Sequence, residues 1–151
     1  MNWPIAELDS LRRLRVMADV LPGVGMVETV LNAPFDQVWG FIADLESSVP
    51  AFDPAVASLK VISRYDDRLV IKARTVIPIT YNVELRPGWC WMQSRVYLVG
   101  MAAVAEGNRT RYAHLEGLPQ RGTGLLEPLF RRVVVPADIR GIRRSLGLPR
   151  P

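Results

Sequence analysis

The feature of this sequence that most constrains its fold is a long region in which apolar and polar side chains alternate. Between residues 56 and 118 the period of the pattern is two, and the clearest stretch is 79–86. Alternation of this kind is typical of β-strands with one buried face. Turn sequences such as Asp66-Asp67, Pro87-Gly88 and Gly107-Asn108 divide the region into segments. The alternation and the turns together predict six successive strands over 58–64, 68–76, 79–86, 89–96, 99–105 and 109–118.

Helical patterns and one earlier strand surround this region. Residues 5–21 have apolar positions near helical spacing, and Pro22-Gly23 ends the pattern. A strand over 25–31 follows, and then a helix over 35–45 that begins after Pro34. Residues 46–56 form a second short helical or irregular piece. A long C-terminal helix follows residue 124, and Pro128 and Pro136 are expected to kink or break it.

The predicted connections between strands are short, so the sheet is antiparallel and the fold class is α+β. The sheet has a face to cover, and the long C-terminal helix is the largest element left to cover it. The sequence contains no internal repeat and no low-complexity linker. We therefore expect one domain over residues 1–151, with 1–24 as an N-terminal helical extension and 25–147 as the main domain.

Three short motifs in this order carry a family resemblance. They are Ala33-Pro34 before Val38-Trp39, the segment 52–56 with its Phe-Asp-Pro-Ala-Val sequence, and 107–112 at the opening of the last strand. Together they resemble the SRPBCC superfamily of START-like proteins, and within it the bacterial polyketide cyclase/dehydrase family. The resemblance implies a helix-grip fold, in which a curved seven-stranded sheet wraps around the C-terminal helix. It also implies a deep apolar cavity that binds lipids, quinones or polyketides.

Composition excludes several other classes of protein. A single cysteine, Cys90, allows no internal disulfide, and a single histidine, His114, argues against a zinc site built from histidines. We expect neither a metal nor another cofactor, since no phosphate-binding or dinucleotide-binding motif occurs. The N-terminus reaches Glu7 and Asp9 before any basic residue, which is unlike a secretory signal. A cytoplasmic protein is expected.

The net charge is +4, and the excess of basic residues is concentrated near the C-terminus. Residues 131–150 contain six arginines and one acid, Asp138. No aromatic residue follows Phe130 to stack on bases, so nucleic acid is not expected as a partner. The two interpretations left are the solvated face of a terminal helix and peripheral contact with an anionic membrane. The arginines at 12, 13 and 15 give the first helix a similar basic face, although such a helix more often packs on its own domain.

The last predicted strand carries the candidate catalytic residues. Thr110, Tyr112, His114 and Glu116 alternate onto one of its faces. If that face points into the cavity, His114 near Tyr112 or Glu116 provides a general acid or base for an enolisable substrate. The alternative is that this face is the solvated convex side of the sheet.

The remaining candidates are residues of the ligand site. Trp89 and Trp91 share one face of their strand, while Cys90 is expected to be packed and inert. Assigning faces from the alternation and the helical period gives eight candidate lining residues: Phe52, Tyr81, Val83, Trp91, Tyr112, Leu126, Phe130 and Val134.

These observations leave three functional hypotheses. The preferred one is binding, which could extend to transport, of a hydrophobic small molecule by a monomer or a homodimer. The second is a cyclase or dehydratase that uses His114 with Tyr112. The third is an interaction module whose basic terminal helices dock on an anionic membrane or a protein partner.

Overall fold

A computed structural model describes residues 9–150 and contains seven strands and a long C-terminal helix. The first helix, α1, begins after the N-cap Asp9, whose side chain accepts a hydrogen bond from the Arg12 N–H. The part of the predicted helix before Asp9 lies outside the described residues. The helices before the C-terminal segment are α1 Ser10–Val20, α2 Phe35–Ala43 and α3 Leu45–Phe52. The strands are β1 Gly23–Leu31, β2 Ser58–Tyr65, β3 Arg68–Arg74, β4 Pro78–Arg86, β5 Trp89–Gln93, β6 Leu98–Glu106 and β7 Arg109–Leu118.

The predicted strands are confirmed, with differences at their ends. Strand β5 stops at Gln93 instead of Val96, because a turn follows it. In that turn the Ser94 hydroxyl accepts hydrogen bonds from the N–H groups of Val96 and Tyr97. These local bonds replace the ladder bonds that a longer strand would have formed.

All seven strands form one antiparallel sheet in the order β1-β7-β6-β5-β4-β3-β2. Strands β2 to β7 follow one another as a meander, and β1 pairs with β7, so that β1 and β2 are the two edges. The expected α+β helix-grip architecture is confirmed: α2, α3 and the C-terminal helix cover the inner face of the sheet. The main core lies between these layers and includes Ile42, Ile71, Met101, Tyr112 and Ile142.

The outer face of the sheet is also partly covered, by helix α1. Helix α1 packs there, and Leu11 and Leu14 lie in a second apolar cluster with Trp89 and Leu98. The Arg13 guanidinium lies 4.4 Å from the centre of the Trp89 ring, a cation–π contact. Helix α1 is thus a third layer over β1, β6 and β7, and it also contacts Trp89 of β5.

The C-terminal helix runs through residues 124–145 and changes its winding on the way. After a 3₁₀ turn at Gly124–Leu126, it consists of α4 Glu127–Leu129, a π-helical turn at Phe130–Val134 and α5 Val135–Ser145. The Val135 N–H bonds to the Phe130 carbonyl, five residues back. Pro136 comes directly after this wide turn, at the start of α5. The expected break is therefore a π-helical turn, which accommodates the proline ring without ending the helix.

Helix and sheet approach very closely where the helix crosses β1. A Cβ atom added to Gly25 would lie 2.2 Å from the backbone nitrogen of Arg131. At the other end of the crossing, a Cβ on Gly141 would lie 2.5 Å from the carbonyl oxygen of Phe52, which ends α3. Both glycines are needed because their neighbours are backbone atoms. The C-terminal helix is therefore held tightly against both the sheet edge and α3.

Candidate functional site

Strand β7 places a row of polar side chains inside the protein. Thr110, Tyr112 and His114 are fully buried, and Glu116 is 2% exposed. The interpretation of this face as the solvated convex side is therefore wrong. This face of β7 lies in the inner core, where Tyr112 packs with residues of α5.

His114 is held by its two neighbours on the same face. Its Nδ1 atom lies 2.7 Å from the Tyr112 hydroxyl, and its Nε2 atom lies 3.1 Å from Glu116 Oε1. The Phe52 ring meets the imidazole edge-on, with 5.9 Å between the ring centres. The direct bonds form although the three residues alternate along one strand, since the tyrosine and glutamate side chains are long enough to reach the ring.

Asp138 completes the cluster from the opposite layer. It lies on α5, is 2% exposed, and places Oδ2 3.6 Å from His114 Nε2. That distance is too long for a hydrogen bond, and Asp138 Oδ2 has no hydrogen-bond partner among the described residues. Leaving a buried carboxylate oxygen unpaired is costly, so this atom is available to a bound molecule. We call His114, Glu116 and Asp138, with Tyr112, the polar cluster.

The protonation of the polar cluster follows from burial and from its two carboxylates. Burial alone would lower the pKa of His114, but the Asp138 and Glu116 carboxylates outweigh it and raise that pKa to about 9. Burial raises the pKa of Asp138 to about 7, because the negative charge of Glu116 adds to the effect and the attraction of His114 only partly offsets it. At neutral pH His114 is a cation that donates from Nε2 to Glu116 and from Nδ1 to the Tyr112 oxygen. Asp138 then gains and loses its proton near neutrality.

The same three side chains are also a potential metal-ligand set. Their nearest donor atoms lie within 4.8 Å of one another, and one imidazole with two carboxylates suits several divalent cations. A metal needs the imidazole lone pair, however, and the raised pKa of His114 means that a proton occupies it at neutral pH. A metal bound by these three side chains would therefore have to displace that proton.

A small cavity of about 20 Å³ adjoins the polar cluster. Glu116 is the member of the cluster that reaches its wall, and Tyr97 donates a hydrogen bond of 2.8 Å to Glu116 Oε2 there. The half-buried Asp53 also lines it, and burial followed by the charge of Asp138 raises the pKa of that carboxyl. The walls are otherwise mostly apolar: Val49, Phe52, Val56, Leu59, Ala73, Tyr81, Met92, Val99 and Met101.

This cavity is far smaller than the deep space that the family resemblance implied. Its volume suits about one water molecule, whereas sites for drug-sized ligands measure about 300–1,000 Å³. The difference has a direct cause, since large side chains such as Tyr112, Met101 and Ile142 fill the space between sheet and helix. The interior is closed and well packed in this conformation.

The predicted lining residues separate into three groups. Phe52 and Tyr81 line the cavity. Val83 and Tyr112 belong to the same inner core, and Phe130 is buried with its ring 5.9 Å from that of Tyr97. Outside the cavity lie Trp91, Leu126 and Val134.

The face assigned to Trp91 was wrong. Val83 points inward and pairs with Met92, so Cys90 and Met92 are the inward residues of β5 and Trp91 points outward. There it stacks on Trp89 at 5.8 Å, beside α1. Leu126 is also misplaced, since it is 37% exposed at the start of the C-terminal helix, and Val134 is half-buried.

Among the residues of the site that were not predicted are two that contact the polar cluster or belong to it, Tyr97 and Asp138. Asp138 is the one acid in a basic segment, which is a signal that it has a special environment. No comparable signal marks Tyr97, because the predicted strand 89–96 ended just before it. Its position depends on the turn at Ser94, which aims the side chain back at Glu116.

The basic terminal helices differ from each other. The three arginines of α1 are each paired with an acid, at distances of 3.7, 3.7 and 2.7 Å, to Asp9, Glu84 and Glu28 respectively. On α5, by contrast, Arg140 and Arg144 make no salt bridge within residues 9–150. Helix α1 is therefore neutralised by its own domain, while the C-terminal helix retains its positive charge. None of the helices between residues 9 and 150 is both long and apolar enough to cross a membrane.

The fold of the described residues has the helix-grip architecture of START-like structures. No family model and no curated protein matches the sequence. Among solved structures, the chain is similar to a protein of Thermus thermophilus, with a TM-score of 0.61, 19% identity, and coverage of 82% of this chain and 96% of that one. It is also similar to a START superfamily protein of Mycobacterium smegmatis, with a TM-score of 0.61, 10% identity, and coverage of 82% and 97%.

A third similar structure is the Zhui aromatase/cyclase from Streptomyces. The TM-score is 0.59 and the identity 17%, with 82% of this chain and 94% of that one covered. The TM-scores show a shared fold, which confirms the START-like architecture expected from the sequence, and identities this low show nothing more. Function has to be argued from the site itself.

Proposed function

We propose that the interior between the sheet and the C-terminal helix binds a hydrophobic small molecule that carries one hydrogen-bonding group. The observation that carries this proposal is the unpaired Asp138 Oδ2 beside His114, in a polar cluster whose Glu116 reaches a cavity with mostly apolar walls. A buried polar cluster of this kind generally costs stability compared with apolar packing. A ligand that forms a hydrogen bond with Asp138 offsets this cost in the complex, because the buried carboxylate oxygen is then paired. The START-like fold of the neighbouring structures supports the same conclusion.

Binding requires the interior to open, because the present cavity holds about 20 Å³. Helix α3 is the element that covers it, since Val49 and Phe52 form part of its wall. Phe52 is also the residue whose backbone touches the C-terminal helix at Gly141. We therefore expect ligand entry to separate α3 from the sheet while the β-ladder stays intact.

The test uses two probes that differ by one hydroxyl group, 2-naphthol and naphthalene. We expect 2-naphthol to bind about tenfold more tightly to the wild type, which corresponds to about 1.4 kcal/mol for a hydrogen bond to a charged group. In Asp138→Asn the preference should fall below about threefold. The exposed Asp66→Asn in the β2–β3 turn is the matched control and should retain it. Hydrogen exchange should rise in α3 on binding.

Two results would refute the proposal. One is that neither probe binds to the folded protein. The other is that both bind equally well to the wild type and to Asp138→Asn, which would place them elsewhere. Native mass spectrometry of protein purified from its own host provides a second test, since a co-purifying apolar molecule is expected there.

Proton transfer is the second candidate function, favoured by the pKa of Asp138. A value of about 7 is suited to a group that accepts and returns a proton at neutral pH. His114, 3.6 Å away, is the cation that would stabilise an enolate formed by removal of a proton next to a carbonyl group. The aromatase/cyclase among the structures of similar fold is consistent with this candidate as an analogy.

The exchange of the methyl protons of acetophenone in D₂O tests this function without knowledge of the substrate. Proton NMR should show catalysed loss of the methyl signal with the wild type. Asp138→Asn and His114→Asn should each lower the rate about a hundredfold or more. Equal rates for all three proteins, all folded, would exclude catalysis and leave binding as the function of the site.

A further inference from the structure

An open cleft of about 740 Å³ lies on the other side of helix α5 from the polar cluster. Strand β1 forms one wall and the helix with its C-terminal extension forms the other. The floor is apolar, with Val27, Pro136, Ile139 and Leu148. The cleft is therefore a second concave surface, separate from the closed interior and much larger.

Arginine dominates the charge of this cleft. Arg140, Arg143, Arg144 and Arg150 line it, and the first three are spaced by three and four residues, which brings them to one face of the helix. The one acidic residue in the lining is Glu28. One carboxylate oxygen of Glu28 contacts both Arg15 Nε, at 2.8 Å, and Arg15 Nη2, at 2.7 Å. The charge of Glu28 is therefore already paired with an arginine outside the cleft.

One of these arginines is held in place by the sheet. Arg143 donates to the Thr29 hydroxyl at 2.7 Å and to the Val30 carbonyl at 3.2 Å. Both partners are neutral, so the full charge of Arg143 remains. Arg140, Arg144 and Arg150 form no salt bridge within residues 9–150. Cations near the C-terminal end of a helix interact favourably with the helix dipole. This interaction does not account for Arg140 in the middle of α5 or for Arg150 beyond its end.

We propose that this cleft binds an alkyl phosphate: the phosphate is held by the arginines, and the alkyl chain lies on the apolar floor. Guanidinium groups bind phosphate through paired, charge-assisted hydrogen bonds, and several of them match a group with two negative charges. The apolar floor next to the arginines favours a phosphate that carries a hydrocarbon chain over inorganic phosphate. The site is independent of the function proposed for the interior.

The experiment is calorimetric titration of the full chain with octyl phosphate below its micelle-forming concentration. Octanol and inorganic phosphate are the controls for the two halves of the ligand. Octyl phosphate should bind at least about tenfold more tightly than either, since each control lacks one of the two interactions. Raising the salt from about 50 to 500 mM should weaken binding several-fold, because the arginines are exposed to solvent.

Variants locate the site. Arg140→Glu with Arg144→Glu should weaken octyl phosphate binding about tenfold or more. The matched control, Arg64→Glu with Arg74→Glu, makes the same change in charge at exposed positions near the opposite edge of the sheet, and should change affinity less than about threefold. Equal losses in the two pairs would overturn the proposal, as would equal binding of octyl phosphate and octanol.

Vesicles of phosphatidic acid with phosphatidylcholine distinguish a free ligand from a membrane lipid. If the wild type binds octyl phosphate and also sediments with these vesicles in an arginine-dependent way, the cleft accepts the head group from either source. Sedimentation without binding of octyl phosphate would refute the cleft as a site, since it would reflect surface charge alone. The interior mutation Asp138→Asn should leave octyl phosphate affinity unchanged, which separates failure of this proposal from failure of the first.

Discussion

The buried carboxyl of Asp138 makes the stability of the fold depend on pH in a specific direction. Its pKa is about 7 in the folded protein and 3.8 ordinarily, so the folded state holds a proton that the unfolded state has lost. A raised carboxyl pKa gives stability at low pH that declines as the pH rises from about 4 to about 7. Between pH 5 and 6.5 the decline is about 1.4 kcal/mol per pH unit, or about 2 kcal/mol in total.

Urea denaturation followed by tryptophan fluorescence measures this decline. The free energy of unfolding of the wild type should fall by about 2 kcal/mol from pH 5 to 6.5, and Asp138→Asn should lose most of that slope. This window lies below the region in which His114 contributes. The stability from the raised pKa of His114 is complete below 6.5 and is lost as the pH rises towards about 9. A slope as steep in Asp138→Asn as in the wild type and in the control Asp66→Asn would refute the assignment.

Three further predictions test the packing of the fold by urea denaturation or chemical labelling. Gly25→Ala should destabilise the protein by about 1–3 kcal/mol, since its Cβ would meet the backbone of the crossing helix, whereas Gly40→Ala, with open space around it, should be neutral or stabilising. If the two glycine variants behave alike, the close crossing is wrong. Phe130→Ala should cost about 3–5 kcal/mol as a buried ring, and a loss below about 1 kcal/mol would show that the ring is not packed. Cys90 is fully buried and burial raises its thiol pKa to about 12, so a thiol reagent should react with it only in denaturant, and rapid labelling of the native protein would contradict this burial.

The alternation of β7 was readable from the sequence, but the direction of its polar face was not. Period-two patterning shows that Tyr112, His114 and Glu116 share a face. It does not show which face the helices cover, because that depends on the strand order and the curvature of the sheet. Trp91 was misassigned for the same reason. The pairing of Val83 with Met92 determines the inward side of β5, and this register is a long-range property.

The sequence predicts which residues form the C-terminal helix, but not which of its side chains face the core. A regular helical period gave an apolar face that included Leu126 and Val134. In the structure Leu126 is 37% exposed and Val134 is half-buried, and the buried positions after the π-helical turn are Val135, Asp138, Ile139, Gly141 and Ile142. One wide turn shifts every later side chain around the axis. Sequence patterns at a fixed period could not identify Asp138 as an interior residue for this reason.

The pairing of the first strand with the last has a consequence for how the chain folds. Gly23 pairs with Leu118 and Leu31 with Thr110, so β1 has no strand partner until almost all of the sheet has been synthesised. The meander from β2 to β7 forms through local hairpins, whereas the closing pair has to bring distant parts of the chain together, which is slow. His114 lies on β7 opposite Val27, and Asp138 comes later still. The polar cluster is therefore complete only when α5 has packed on β7, and a chain that ends before β7 presents β1 as an unpaired edge prone to association.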